Sequence, residues 1–428
     1  MELWRNLGQK HFDELYAAHM QKVAMKYPGD VNVQILWIDA VVLLTPWEYY
    51  EKYSIKGGEK VKESLVSAYT TLQQLVEVDT PHLLALHLWI HITEQSTEPS
   101  IGLKGADDLA SIMGEDGTSH LIHMPSHTYF RTGRYNDCIS SSSKAIKVDK
   151  RYKEKCLEPY LPTHNQAMLS ACSMAYGDIN DILDNDILLP LHQTNPISAI
   201  WPSAIFPPPL ELVYTRFGMW KQILTLPASG GSLVDTESRG TPYLKAQSLY
   251  AHILATLWNN ENDDKADIMK MKIEFHNMVQ NIAQDALPTN HVFYPYHREI
   301  GQLLNLTLLA AFRMKEHQLE EAKQFLESAV ELQDSFTYME PENHYIPLRQ
   351  CLAAVLTETC QKMNQRNDCD RAGYEYEKDL EVHPNNAWSI TGLRRLDELG
   401  LFHTENMDLT VVGDDVYVGG SCCEMHLC

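Results

Sequence analysis

Apolar residues recur at three- and four-residue spacing through almost the whole chain, in runs such as EKVKESLVSAYTTLQQLVEV and REIGQLLNLTLLAAFRMKEHQLEEAKQFLESAVEL. That period lays one apolar stripe along a helix, and alternating strand-like stretches are nearly absent, so the sequence specifies an all-α protein. The helices also repeat, unevenly. In HTYFRTGRYNDCISSSSKAIKVD, Tyr129, Gly133, Tyr135, Cys138 and Ala145 supply an aromatic, a turn glycine, a second aromatic and two small residues. Small residues let one helix approach the next, and glycine tolerates the positive φ of the turn between them. Gly177 and Gly218 mark further turns, Ala322 and Ala329 keep the separation of Cys138 and Ala145, and Pro384 closes a last unit. The expected architecture is an α-solenoid, a right-handed superhelix of helix pairs, over residues 1–402. Breaker-rich loops near 201–209 and 226–242 divide it into two halves, and 403–428 reads as a flexible C-terminal tail.

Composition narrows the partners. Lysine and arginine number 35 against 57 acidic residues, a formal charge of −22, so phosphate backbones meet a repulsive field and nucleic acid is not expected. The most apolar run, ILWIDAVVLL, is short and interrupted by Asp39, and the N-terminus has no basic segment leading into an apolar one. A cytoplasmic chain without membrane contact is the expectation. Nine cysteines without regular spacing fit reduced thiols.

The histidines carry the chemistry. A helix turns about 100° per residue, so positions three, four and seven apart share a face. His120, His123 and His127 have that spacing in SHLIHMPSHTYFRTGRY, and His87, His91 and Glu94 have it in HLLALHLWIHITEQS. Counted from the turn glycines, His164 falls on the corresponding face of the next unit. Three successive helices thus aim six histidines and a carboxylate at one stretch of a concave groove. Imidazole is the commonest ligand of borderline metals, and a nitrogen-rich set with at most one carboxylate suits zinc, copper or iron better than magnesium or calcium. Six rings suffice for two ions; one ion with the remaining rings and Glu94 behind it fits the same residues. Two other accounts stand beside the metal: a hydrogen-bonding groove for carboxylate ligands, and histidines that merely satisfy one another in a core.

The shared face depends on Pro125. A helix starting at Ser119, its N-cap, is kinked by that proline beside the histidines but keeps them together, whereas a helix starting at Pro125 leaves His120 and His123 on a loop. The repeat count needs the longer helix. Arg131 and Arg216 each lie two residues before a turn glycine, on the groove side, as candidate anion ligands. Polar residues gather again in HVFYPYHRE and in YMEPENHYIPLR, which holds Glu340, His344 and Arg349; these close the groove only if the superhelix curls back on itself.

The motifs HLIHMPSHTYFRTGRYNDC, ALHLWIHITEQS, PTHNQAMLSACSMAYGD, RFGMWKQIL and YMEPENHYIPLRQ, in order between about residues 11 and 400, resemble a family of tetratricopeptide-repeat proteins widespread in bacteria and some eukaryotes. The resemblance implies a tetratricopeptide-repeat-like α-solenoid and leaves the activity open, since that family is known mainly by its repeats. All six histidines, together with Glu94, Arg216, Glu340 and Arg349, match its motif positions. Two functions follow as expectations. One is a metal-dependent hydrolase or oxidoreductase with His87, His91, His120, His123, His127 and His164 as ligands, Glu94 as base, and Arg131, Arg216, Glu340 and Arg349 towards a small-molecule substrate. The other is a non-catalytic scaffold that binds a peptide or protein partner in the concave groove.

Overall fold

The computed structural model describes residues 2–51, 53–114, 117–184, 208–226, 241–259, 265–282, 296–363 and 365–403. The two breaker-rich loops fall largely, and the tail almost wholly, outside these residues, as do His291 and Tyr294. Within them the chain is helical apart from a small antiparallel ribbon pairing Tyr53–Ser54 with Gly57–Gly58. No described helix is long and apolar enough to cross a membrane.

Consecutive helices pack side by side. Tyr135–Glu154 lies on Pro162–Tyr176, His297–Lys315 on Leu319–Asp334, and Leu348–Met363 on Arg366–Val382. The reasons are local. Cys172, Ala322 and Ala329 are fully buried at these crossings, where a larger side chain would hold the helices apart, and fully buried Ala145 clusters with Ile122 of the helix Ser119–His123. Gly133, Gly177 and Gly218 all have positive φ, at 73°, 93° and 61°, as turn glycines should. Asp30 and Asn386 cap the helices they precede by accepting from Val33 N and Trp388 N.

Two expectations about cysteine and capping are corrected. Cys138 is disulfide-bonded to Cys172, and Cys360 to Cys369, so the described chain is not a set of reduced thiols. The small residues that allow close helix approach bring the sulfurs into reach. The N-cap before the histidine helix is Thr118 rather than Ser119, which is the first helical residue.

The two halves of the chain meet. Helix Ala387–Glu398 touches Pro162–Tyr176, and Arg131 Nη1 donates to the Val382 carbonyl at 3.4 Å. Asn385 donates to the Gly133 carbonyl, and Lys56 pairs with Glu381 across the same seam. At Gly133 the approach is so close that a Cβ would overlap the Pro384 carbonyl. The far end of the chain therefore closes over the histidine helices. Gly400 also has positive φ but nothing near it. Gly133→Ala should destabilise by well over the ~1 kcal/mol expected of a left-handed glycine alone, and Gly400→Ala by no more than that figure. Urea unfolding of the two variants checks this, and equal losses would mean the seam does not bear on Gly133.

Candidate metal centre

The site is built from three helices, the second of them broken in two, and one non-helical segment. Helix Leu83–Glu94 supplies His87, His91 and Glu94; Ser119–His123 and Pro125–Arg131 supply His120, His123 and His127; Pro162–Tyr176 supplies His164. The second of these is interrupted only at Met124, which keeps helical angles of −50° and −40°. Pro125 thus divides the helix at Met124, and the rings of His120, His123 and His127 still meet in sequence at 5.0 Å.

All six rings form one connected cluster. Centroids lie 5.0 Å apart for His87 and His120, for His120 and His123, for His123 and His127, and for His123 and His164. His91 joins through His87 at 4.7 Å and His127 at 5.5 Å. Within the cluster two triads have ligand atoms within 4.8 Å of one another: His87, His91 and His120, and His123, His127 and His164. Nε2 of His87 is 3.0 Å from Nε2 of His120; that of His127 is 3.0 Å from His123 and 3.3 Å from His164. Metal–nitrogen bonds of about 2.0 Å at tetrahedral angles place ligand nitrogens about 3.3 Å apart, so these separations are close to what one ion demands.

Carboxylates stand behind two of the rings. Glu94, fully buried, accepts from His91 Nδ1 through Oε1 at 2.9 Å and from His127 Nδ1 through Oε2 at 2.9 Å. Tyr338 Oη donates to the same Oε2 at 2.8 Å. Glu340 Oε2 lies 3.0 Å from His127 Nδ1 and 3.4 Å from His91 Nδ1, adding charge from the other side. Both rings therefore turn Nε2 towards the triads, the arrangement in which a carboxylate fixes the tautomer and strengthens a ligand.

The protonation pattern splits the cluster. Burial pushes His87, His120, His123 and His164 below the usual histidine range, His120 and His164 to about 3, and neighbouring rings add to the effect. Burial opposes the charge on His91 and His127 as well, but Glu340 and Glu94 outweigh it and raise them to about 9 and about 10. Burial would raise Glu340; facing His127 and His91 it is held below its ordinary value instead. Four rings are thus kept neutral, with their Nε2 atoms within hydrogen-bond distance of neighbouring rings. Their Nδ1 atoms are buried with no partner among the described residues, so a packed polar core does not account for them.

The structure places the other expected residues as follows. Both oxygens of Glu94, the candidate base, already accept hydrogen bonds from His91, His127 and Tyr338. Arg131 is buried and donates to four backbone carbonyls, those of Glu94, Ser96, Lys56 and Val382, with its guanidinium 4.7 Å over the Tyr338 ring. Arg216 stacks on Trp388 at 3.5 Å and donates to Gln350 Oε1 at 2.7 Å, beside a separate small cavity shared with His344 and His383. Arg349 pairs with Glu375 and Asp334. Glu340 sits with the histidines. Arg131, Arg216 and Arg349 therefore lie in three different places, and only Arg131 borders the cluster.

Sequence reasoning missed Tyr338 and the His383 network. Tyr338, Glu340, Glu342 and His344 alternate along YMEPENHY, all buried, and each reaches a polar group or the cavity. Pro341 and Pro347 were the available signal that this stretch is not helical. His383 donates at 2.8 Å from Nδ1 to Asp379 Oδ1 and from Nε2 to Glu342 Oε1. Burial opposes its charge, but those carboxylates raise it to about 10. In comparisons with protein-family models, curated proteins and solved structures, no family model, protein or structure matches this chain.

Because the folded protein holds the His383 proton more tightly than the unfolded chain, its contribution is complete below about pH 6.5 and lost as pH rises towards 10. The unfolding free energy should fall between pH 7 and pH 9.5, and His383→Gln should flatten that slope. Chemical denaturation at the two values measures it; an unchanged slope in the variant would remove His383 from the account.

Proposed function

We propose that this chain is a metal-dependent enzyme that holds two transition-metal ions in the adjacent histidine triads, on a tetratricopeptide-repeat-like helical frame. The observation that carries the reading is the spacing of the Nε2 atoms, 3.0 to 3.3 Å, around two neighbouring centres. The burial of four neutral rings whose Nδ1 atoms have no partner among the described residues supports it, as does the carboxylate backing of His91 and His127. Three protein ligands per ion leave a coordination position for water or substrate, which is how catalytic sites differ from structural ones. In this role Glu94 and Glu340 orient ligands rather than touch the reacting atoms. Helix pairs joined by positive-φ glycines support the repeat-like frame.

Protein purified without a histidine tag should contain about two equivalents of zinc, copper or iron by elemental analysis. His123→Ala with His127→Ala should lose at least one equivalent. Metal-free, well-folded wild-type protein that takes up none of the three on incubation would leave a non-catalytic scaffold. Glu94→Gln should retain the ligands yet weaken affinity by about 10- to 100-fold, the effect typical of losing an orienting carboxylate. Competition with a chelator of known affinity reads that change, and an unaltered affinity would assign Glu94 a purely structural place.

A further inference from the structure

The two triads leave a third convergence of ligand atoms between them. The inner triad, His123, His127 and His164, is buried, whereas His87 and His120 of the outer triad are only partly so. His91 belongs to the outer triad and His127 to the inner, and both rings turn Nδ1 to the same two carboxylates. Nδ1 of His91 is 2.9 Å from Glu94 Oε1 and 3.4 Å from Glu340 Oε2. Nδ1 of His127 is 2.9 Å from Glu94 Oε2 and 3.0 Å from the same Glu340 Oε2. Ligand atoms of His91, Glu94 and Glu340 all lie within 4.8 Å of one another, and these residues and His127 are more than nine-tenths buried.

Hydrogen bonds do not complete this pocket. Each Nδ1 carries at most one proton and gives it to Glu94, so Glu340 Oε2 has no hydrogen-bond partner among the described residues. A buried carboxylate oxygen without a donor is costly, and a second carboxylate facing the same two nitrogens adds like-charge repulsion. A cation where the four groups converge meets both charges. Two nitrogens and two carboxylates suit a closed tetrahedral zinc site, whose bonds of about 2.0 to 2.2 Å put ligand atoms about 3.3 Å apart. The observed N···O separations, 2.9 to 3.4 Å, bracket that figure.

The charges balance as well. On the two-ion reading each of these rings already gives Nε2 to a triad, so a central divalent ion takes the place of the two Nδ1 protons. Two positive charges enter and two leave to solvent, and the buried group gains none. Each ring then bonds a metal through both nitrogens, as a bridging imidazolate. We propose that His91, His127, Glu94 and Glu340 form a third, closed cation site that takes zinc and ties the segment carrying Glu340 to the histidine helices. Its four ligands leave no position for substrate, so its role is structural. The pocket itself goes beyond the two-ion reading; only the bridging of the rings rests on it.

The test saturates full-length, untagged protein with zinc, removes unbound ion by gel filtration and assays the metal. Wild type should hold three zinc ions per chain and Glu340→Gln two. In weakly buffered solution the third ion should release two protons as it binds, a signal that a carboxylate acting only as a hydrogen-bond acceptor does not give. The wild-type stoichiometry and proton count decide the matter even if the variant fails to fold. Wild type that stops at two ions, or a third ion that Glu340→Gln also holds, overturns the proposal and leaves the two-ion site standing. A third ion bound without proton release overturns the bridging of the rings. A single ion, lost in Glu340→Gln and kept in His123→Ala with His164→Ala, supports the pocket and overturns the two-ion reading. Protein that binds no zinc overturns both.

Discussion

One buried carboxylate holds the site together. Glu94 ends its helix with Oε1 on His91 and Oε2 on both His127 and Tyr338, while its backbone carbonyl accepts from Arg131. The first contact orients a ring of the outer triad, the second a ring of the inner triad, and the third a residue more than two hundred positions away in sequence. A charge removed from water is tolerated only when its lone pairs are met, and here they are met from three separate stretches of chain. Moving any of them exposes the carboxylate to an unbalanced environment. The position of the histidine rings is in that sense fixed by the carboxylate more than by the helices that carry them.

The strap from Tyr338 to His344 completes the arrangement. Tyr338, Glu340, Glu342 and His344 reach Glu94, the two carboxylate-backed histidines, His383 and the cavity beside Arg216, so a single non-helical segment spans two polar networks. Asp379, Gln350, Asn386 and Ser389 hold the second network through hydrogen bonds of 2.6 to 2.9 Å. Arg131 is the link between the two, donating to the Glu94 and Val382 carbonyls at once.

Much of this was legible in the sequence because helices convert spacing into geometry. The separations 120, 123, 127 and 87, 91, 94 fix shared faces without knowledge of any partner, and the turn glycines set which helices are neighbours. Even the effect of Pro125 followed from what proline removes from a helix. Less was legible where contact depends on segments far apart in the chain. Arg131 looked like an anion ligand because its acceptors are carbonyls of Lys56, Glu94, Ser96 and Val382, which no motif announces. Glu340 was noticed as a polar group but not joined to His91 and His127, since that pairing needs the late strap to cross the early helices. The Cys138–Cys172 disulfide escaped for the same reason: the two residues are 34 apart and lack any spacing signature.

The unequal burial of the two triads sets an order of events. His123 and His127 are sealed, while His87 and His120 retain some contact with solvent. On the proposed reading, an incoming ion meets the outer nitrogens first and is handed inward from ring to ring, so the chain fills like a two-step lock. Withdrawal runs the other way: the inner ion at His123, His127 and His164 leaves last and slowest.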